Sequence, residues 1–582
     1  MTYSSEARLQ NPWRDFIRRR LPWIILGLTL LLVVSVRFRL RSMALERDEG
    51  EYAYAGQLML HGIPPYKEAY NMKLPGTYAA YAFIMAIFGQ TPSGIHFGLL
   101  LVNVASVVLL YRSAQKLMDE TGALAAAVVF ALLSLSPTLL GLAAHATHFV
   151  VLPALGGMLL LLPTRDRETQ VRSGGNDSLP QPRQALGSGL LFGLAFLMKQ
   201  HGIFFGIFGG LYLLWVTFGP KPSKRKSELP AWFAAPLQPL GMFALGFVLP
   251  YLLMCLLLWR AGVFHQFVFW TISYASKYAS AIPLVAGPDV LKAALKVAVG
   301  PNFLLWLLPW AGALLLWWDD RLSATQRFFL AALLLCSFGS VSIGLYFREH
   351  YFILLLPALA LLSGIAVSHC RNLLRHDRTI ALFYAAPVVG LSVIAALASL
   401  IGNGATWFAL PPIEVVRSVY GSTLFLEAAK IGDYLKTHAS PDSCIAILGS
   451  EPEICFYAHR RSATGYIYMY PLMEPQSQAA KMQEEMIRQI EQNRPDYFVY
   501  VDDNFSWLKR PNSNPQIVNW WQEFWPGNLQ LALKTGIQEE SSSAESSPGS
   551  TEARPTVDSK SILVLKRDTP AFETKKTAKL DK

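Results

Sequence analysis

ERDEGEYAYAGQLMLHGIPPYKEAYNMKLPG, residues 46–76, is a charged stretch between one apolar segment and a long series of others. Asp48, Glu49 and Glu51 place three carboxylates within four residues beside Arg47, and Lys67 and Lys73 follow. The apolar flanks offer few groups able to move protons, so polar chemistry concentrates here. The local pattern also reads as a short helix. Asp48 stands at the N-cap with Glu51 three residues on as its capping-box partner, and Gly62 follows the end, ahead of Pro64 and Pro65. These readings compete, because a carboxylate that accepts amide hydrogens has a lowered pKa and is a poorer base.

The flanks decide the class. With 582 residues, 52% of them hydrophobic, and a mean hydropathy of +0.31, the chain is too apolar for a soluble protein of two or three domains. A membrane-crossing helix needs about 20 apolar residues, and eleven runs are read as spans: 21–36, 94–111, 122–141, 149–163, 186–199, 201–218, 236–259, 302–318, 328–346, 351–368 and 379–401. Residues 76–89 are too short to cross and read as an interfacial or re-entrant helix. The fold class expected is therefore mainly α, a polytopic transmembrane bundle.

The net charge of +11 sits in short clusters between apolar runs, not along one stripe, which argues against nucleic acid and for topology signals. Arg112 and Lys116, Arg165 to Arg183, Lys221 to Lys226, Arg321 and Arg327, and Arg371 to Arg378 share one side, cytoplasmic by the positive-inside rule, as does the N-terminus, 1–20. Arg37, Arg39, Arg41 and Arg47 fall on the other side, against that rule. The apolar segment after the basic N-terminus lacks a small-residue cleavage site and reads as a retained span. The five cysteines show no zinc-ligand spacing, and only Cys444 and Cys455 share a polar region where a disulfide is open.

From about 402 the composition becomes that of an α/β domain, 402–582. Helical patterns near 414–437 and 476–492 precede strand-like CIAIL (444–448) and DYFVYV (496–501), ILVLK (562–566) is a late strand, and 538–560 reads as a disordered insert. No Walker loop and no GxGxxG after a strand is present.

The outer face gathers the chemistry: the 37–75 loop, AHATH with His145 and His148, KQHG with Lys199 and His201, and FREHY with Arg348 and His350. A lysine ending an apolar run ordinarily snorkels. Arg348 lies between apolar runs where charge is expensive, about 3 kcal/mol near a bilayer centre. Lys73, Lys199 and Arg348 form a set suited to a phosphate. Tyr52 and Tyr70 suit a sugar face, although belt tyrosines are the default. No cofactor is called for, and HxxH leaves a divalent metal open.

RDEGEYAYAGQLMLHGIPPYKEAYNMKLPGTYAAY, GLLFGLAFLMKQHG and YFREHYFILLLPALALLSG, in this order, resemble the GT-C-fold integral membrane glycosyltransferases, specifically the bacterial relatives of protein O-mannosyltransferases and of the aminoarabinose transferases that modify lipid A. The likeness covers roughly residues 20–400. It implies a polyprenyl-phosphate sugar donor, an extracytoplasmic site in a multi-pass inner-membrane protein, and a lipid, glycan or protein acceptor. By resemblance Asp48 is the catalytic acid of the pair with Glu49 assisting. By the same resemblance Lys73, Lys199 and Arg348 bind the donor phosphate; Tyr52, Tyr70, His145, His148 and His350 are candidate substrate contacts on residue type and placement alone. KLPG stands where the family has KPP, and AHATH where many relatives carry an acid. The rival readings are a lipid or sugar transporter, set against by charges at one surface and no visible repeat, and a non-catalytic export subunit.

Overall fold

The computed structural model describes residues 12–163, 179–219, 234–376, 386–538 and 560–568. The basic residues 165–172 and 221–226, Arg378, and residues 539–559 of the insert expected at 538–560 lie outside these.

Helix α1 (Pro12–Arg39) leads through an extended link into α2 (Arg47–Leu60), the short α3 (Gly76–Phe88), then α4 (Pro92–Leu117), α5 (Glu120–Ser134), α6 (Ala146–Leu161), α7 (Pro182–Met198), α8 (Ile203–Phe218) and α9 (Ala234–Arg260). After a run of short turns come α10 (Gly287–Val299), α11 (Phe303–Trp318), α12 (Ala324–Ser342), α13 (Leu356–His376) and α14 (Ala386–Gly402). Each expected span coincides with a helix, for 379–401 over the described residues 386–401. Among the described residues, seven stretches are long and apolar enough to cross a membrane. The other four, α5, α6, α7 and α14, have only 15, 16, 17 and 17 residues. The run expected at 122–141 is cut short by Pro137, which opens a 3-10 turn, with Leu140 left-handed behind it at φ 49°. At 13 residues, about 20 Å, α3 is shorter than a bilayer core. Its first residue, Gly76, lies against the end of α7, where a Cβ would sit 2.4 Å from the Leu197 carbonyl oxygen.

The arginines on the unexpected side are absorbed by the fold. Arg37 is buried and donates to Asn103 Oδ1 at 2.9 Å and to the carbonyls of Ser134 and Gly141 at 3.1 and 3.0 Å. These carbonyls flank the turn after α5 and are freed by its break, so the guanidinium serves as their cap. Arg39 donates to carbonyls at Thr406, Trp407 and Leu410, and Arg41 lies 4.0 Å over the Phe38 ring. Arg47 is bound to the C-terminal domain.

That domain contains α15 (Leu424–His438), β1 (Cys444–Leu448), α16 (Glu453–Ala458), β2 (Arg461–Ser462), α17 (Ala479–Asn493), β3 (Tyr497–Asp502), α18 (Gln516–Asn528), β4 (Leu529–Gly536) and β5 (Ser561–Arg567). The single pattern expected at 414–437 is broken at Gly421, whose φ of 64° ends a first short helix. The sheet order is β2-β1-β3-β5-β4, parallel for β2-β1-β3 and antiparallel beyond, with a bulge between Leu531 and Leu533. Cys444 and Cys455 are both free thiols. Two apolar cores run across the boundary between domain and bundle. One joins Tyr52, Tyr54, Tyr78 and Tyr81 to Phe425, Ile454 and Phe456, and the other joins Tyr66 and Trp270 to Tyr466 and Trp507.

Candidate active site

The helix that carries the acidic cluster starts two residues earlier than its sequence reads. Glu46, not Asp48, is the N-cap of α2: its Oε1 accepts from the Glu49 amide at 2.9 Å, and Glu49 Oε2 accepts from the Glu46 amide at 3.3 Å. Both pairs have the i, i+3 spacing of a capping box, and Lys73 decides between them. Its ammonium lies 2.8 Å from Asp48 Oδ1, 2.6 Å from Glu51 Oε2 and 4.6 Å from the centre of the Tyr52 ring. Glu51 also accepts from the Tyr78 hydroxyl. Capping by Glu46 therefore leaves Asp48 and Glu51 to Lys73.

Glu49 is fully engaged elsewhere. Its Oε1 accepts from His96 Nε2 at 2.8 Å and from the Ala144 amide at 2.6 Å. This ties α2 to α4 and to the AHATH turn.

His145, at the N-cap of α6, reaches within 3.6 Å of Glu46 Oε1 and 3.9 Å of Asp48 Oδ2, and its ring stacks on His350 at 4.1 Å and 8°. Lys199, at the C-cap of α7, lies 3.3 Å from His350 Nε2 and 4.2 Å over the Tyr351 ring. Arg348 is exposed two residues before His350, with the Tyr278 hydroxyl at 3.4 Å. Thus Asp48, Lys73, Lys199, His145 and His350 come together from five separate segments, with Arg348 at their edge. Tyr52 underlies Lys73. His148 and Tyr70 do not join them: His148 faces the Gly141 carbonyl at 3.1 Å, and Tyr70 stacks on Trp270 and meets Tyr466 edge-on.

Burial and charge separate the two acids near His145. Burial, reinforced by Asp48 and Glu49, pushes the Glu46 carboxyl well above its ordinary range. Burial acts the same way on Asp48, but the Lys73 ammonium and His145 overcome it and hold that carboxyl well below the usual range. Burial lowers His145 to about 4, while Asp48 and Glu51 outweigh burial at Lys73 and raise it. The two neighbouring carboxyls are thus pushed in opposite directions, Glu46 up and Asp48 down, with the His145 imidazole held toward its neutral form. Lys73 holds Oδ1 of Asp48, and Oδ2 is its free oxygen.

Ligand atoms of Asp48, His145 and His350 lie within 4.8 Å of one another, and both His145 ring nitrogens are buried without a partner. A divalent cation fits this donor set of one carboxylate and two imidazoles.

The C-terminal domain also reaches the cluster, which sequence reading missed. In YIYMY, 466–470, the Tyr468 hydroxyl lies 3.4 Å from Asp48 Oδ1 and Tyr470 accepts from Arg47. The alternation of tyrosines was the available signal.

A bundle of apolar helices with a charged first loop closed by an α/β domain is the GT-C fold of integral membrane glycosyltransferases. The structure is similar to that of ArnT from Cupriavidus metallidurans bound to undecaprenyl phosphate, with 13% identity, a TM-score of 0.55 and coverage of 94% of this chain and 98% of that one. It is also similar to the Archaeoglobus fulgidus oligosaccharyltransferase tethered with an acceptor peptide, with 12% identity, a TM-score of 0.52 and coverage of 84% and 70%. Residues 73–237 match the dolichyl-phosphate-mannose-protein mannosyltransferase family, a stretch that includes Lys73 and Lys199 and begins after Asp48. No curated protein matches the sequence significantly.

Proposed function

We propose that the protein is a membrane glycosyltransferase that moves a sugar from a polyprenyl-phosphate donor to a hydroxyl acceptor on the extracytoplasmic face. The observation that carries this reading is the free Oδ2 of an ionised Asp48 within one cluster of cations. The acceptor hydroxyl gives its proton to Asp48 as its oxygen bonds to the anomeric carbon. The bond from that carbon to the phosphate oxygen breaks, and Lys199 and Arg348 take up the charge of the departing lipid phosphate. Lys73 keeps Asp48 ionised and turned. A cation held by Asp48, His145 and His350 would neutralise phosphate charge. The donor class is supported by the undecaprenyl phosphate bound to the similar ArnT and by the family matched at 73–237.

Asp48→Asn tests this directly. Mass spectrometry of envelope glycolipids and glycoproteins, from cells with and without the chain, identifies the transferred sugar and its acceptor. Asp48→Asn is expected to reproduce the pattern of cells lacking the chain, with the protein folded and still binding undecaprenyl phosphate. A full product level in that variant refutes the assignment.

A further inference from the structure

The residue that precedes Asp48 is held entirely by the C-terminal domain. Arg47 is buried, with Nη2 at 2.8 Å from Glu451 Oε1, Nε at 2.7 Å from the Ser450 carbonyl, Nη1 on the Tyr470 hydroxyl, and its guanidinium 4.5 Å over the Phe505 ring. Glu451 is itself fixed, its Oε2 accepting from the Ser450 amide and from Ser506 Oγ, both at 2.7 Å. The same loop sets YIYMY, because Ser450 Oγ accepts from the Met469 amide at 2.9 Å. Between these anchors the Tyr468 hydroxyl has the Arg47 carbonyl at 3.2 Å and Asp48 Oδ1 at 3.4 Å and shares its one proton between the two acceptors.

We propose that the C-terminal domain is a working part of the catalytic site, with Tyr468 a positioning residue that turns the Asp48 carboxylate and the Arg47–Glu451 pair the latch that sets its height.

This rests on the reading of Asp48 as the base. Tyr468 and Lys73 approach the same oxygen, Oδ1, from the domain and from the first loop. Together they leave Oδ2 toward His145 and the open side. Without the hydroxyl, Lys73 alone sets the carboxylate plane, and the carboxylate can rotate about that single bond. The domain thus acts through α2 on the reacting atoms without touching substrate, and a misplacement of such a base by about 1 Å costs on the order of a hundredfold in rate.

The test uses the full chain in detergent, with undecaprenyl phosphate as the binding probe and transfer from a panel of undecaprenyl-phosphate sugars to envelope extract as the rate. Tyr468→Phe keeps the ring and removes the hydroxyl. It is expected to lower kcat at least about tenfold, with donor KM and undecaprenyl phosphate affinity within about twofold and a Tm within about 2 °C of the parent. Glu451→Ala is expected to lower both Tm and kcat, with Glu451→Gln recovering part of each because the amide oxygen still accepts from Arg47. Parental kcat in Tyr468→Phe overturns the proposal, as does a loss in that variant confined to KM or matched by a fall in Tm. If Asp48→Asn is inactive while Tyr468→Phe is parental, this inference fails alone; if Asp48→Asn is active, the reading of the site fails whatever Tyr468 does.

Discussion

Lys73 binds Asp48 and Glu51 at once, with its ammonium 2.8 Å from one carboxylate and 2.6 Å from the other. Among the described residues neither carboxylate has another cation as close. Lys73→Gln leaves two carboxylates facing each other in a buried site, which costs about 3 kcal/mol of stability and drives one of them to take a proton. Transfer should fall on the order of a hundredfold or more, with Lys73→Arg retaining the fold and part of the rate. Thermal unfolding and the transfer assay on both variants check this, and a stable, fully active Lys73→Gln counts against any role for the pair.

Gly50 is the point where α2 meets α16. A Cβ there would stand 2.5 Å from Cβ of Glu453 and 2.8 Å from its backbone nitrogen, so a methyl has nowhere to go unless the C-terminal domain backs away. Gly50→Ala is expected to destabilise by about 1–3 kcal/mol, as overpacking does, despite the better helix propensity of alanine. Limited proteolysis of the 402–582 region should quicken in step with the loss of transfer.

Glu453 is buried with neither carboxylate oxygen bonded, and burial beside Glu451 raises its pKa well above the ordinary carboxylate value. The folded chain therefore keeps a proton that the unfolded chain releases above about pH 4.5. Its contribution to stability is fully present below that pH and is lost as pH rises toward the folded value. Glu453→Gln removes the titration, so the Tm of the variant should gain on the parent with rising pH, and the gap should be smallest near pH 4. Paired melting curves from pH 4 to 8 decide it, and parallel curves would falsify the assignment.

His145, with both ring nitrogens buried and unbonded, is where a cation would be sensed first. Metal-free protein is expected to take up one Mn2+ or Zn2+ per chain, measured by calorimetry, and His145→Ala should weaken that uptake at least about tenfold. Uptake unchanged in the variant rules out the Asp48, His145 and His350 cluster as the binding site.

The membrane class and the helices were legible because an apolar run of membrane length leaves one physical outcome. Breaks such as Pro137 and Gly421 stood in the sequence but were outweighed by hydropathy. The capping register was not legible: Glu46 with Glu49 and Asp48 with Glu51 have identical spacing, and only Lys73, folded back from a distant loop position, breaks the tie. Arg37 looked like a topology violation because its partners, Asn103 and the carbonyls after α5, are remote in sequence. Tyr468 went unseen for the same reason. Its target, Asp48, lies in another domain, and the alternation of tyrosines in YIYMY marks a patterned stretch without saying what it faces. His148 and Tyr70 were singled out by residue type and spacing alone, which cannot say which way a ring faces.

The short helices have a consequence for the lipid around them. At 16 and 17 residues, α6 and α7 span about 24–26 Å against a hydrocarbon core near 30 Å. They begin and end at His145 and Lys199. On the proposed reading, a lipid-anchored donor reaches the cluster at these two helix ends, and the hydroxyl partner meets it there.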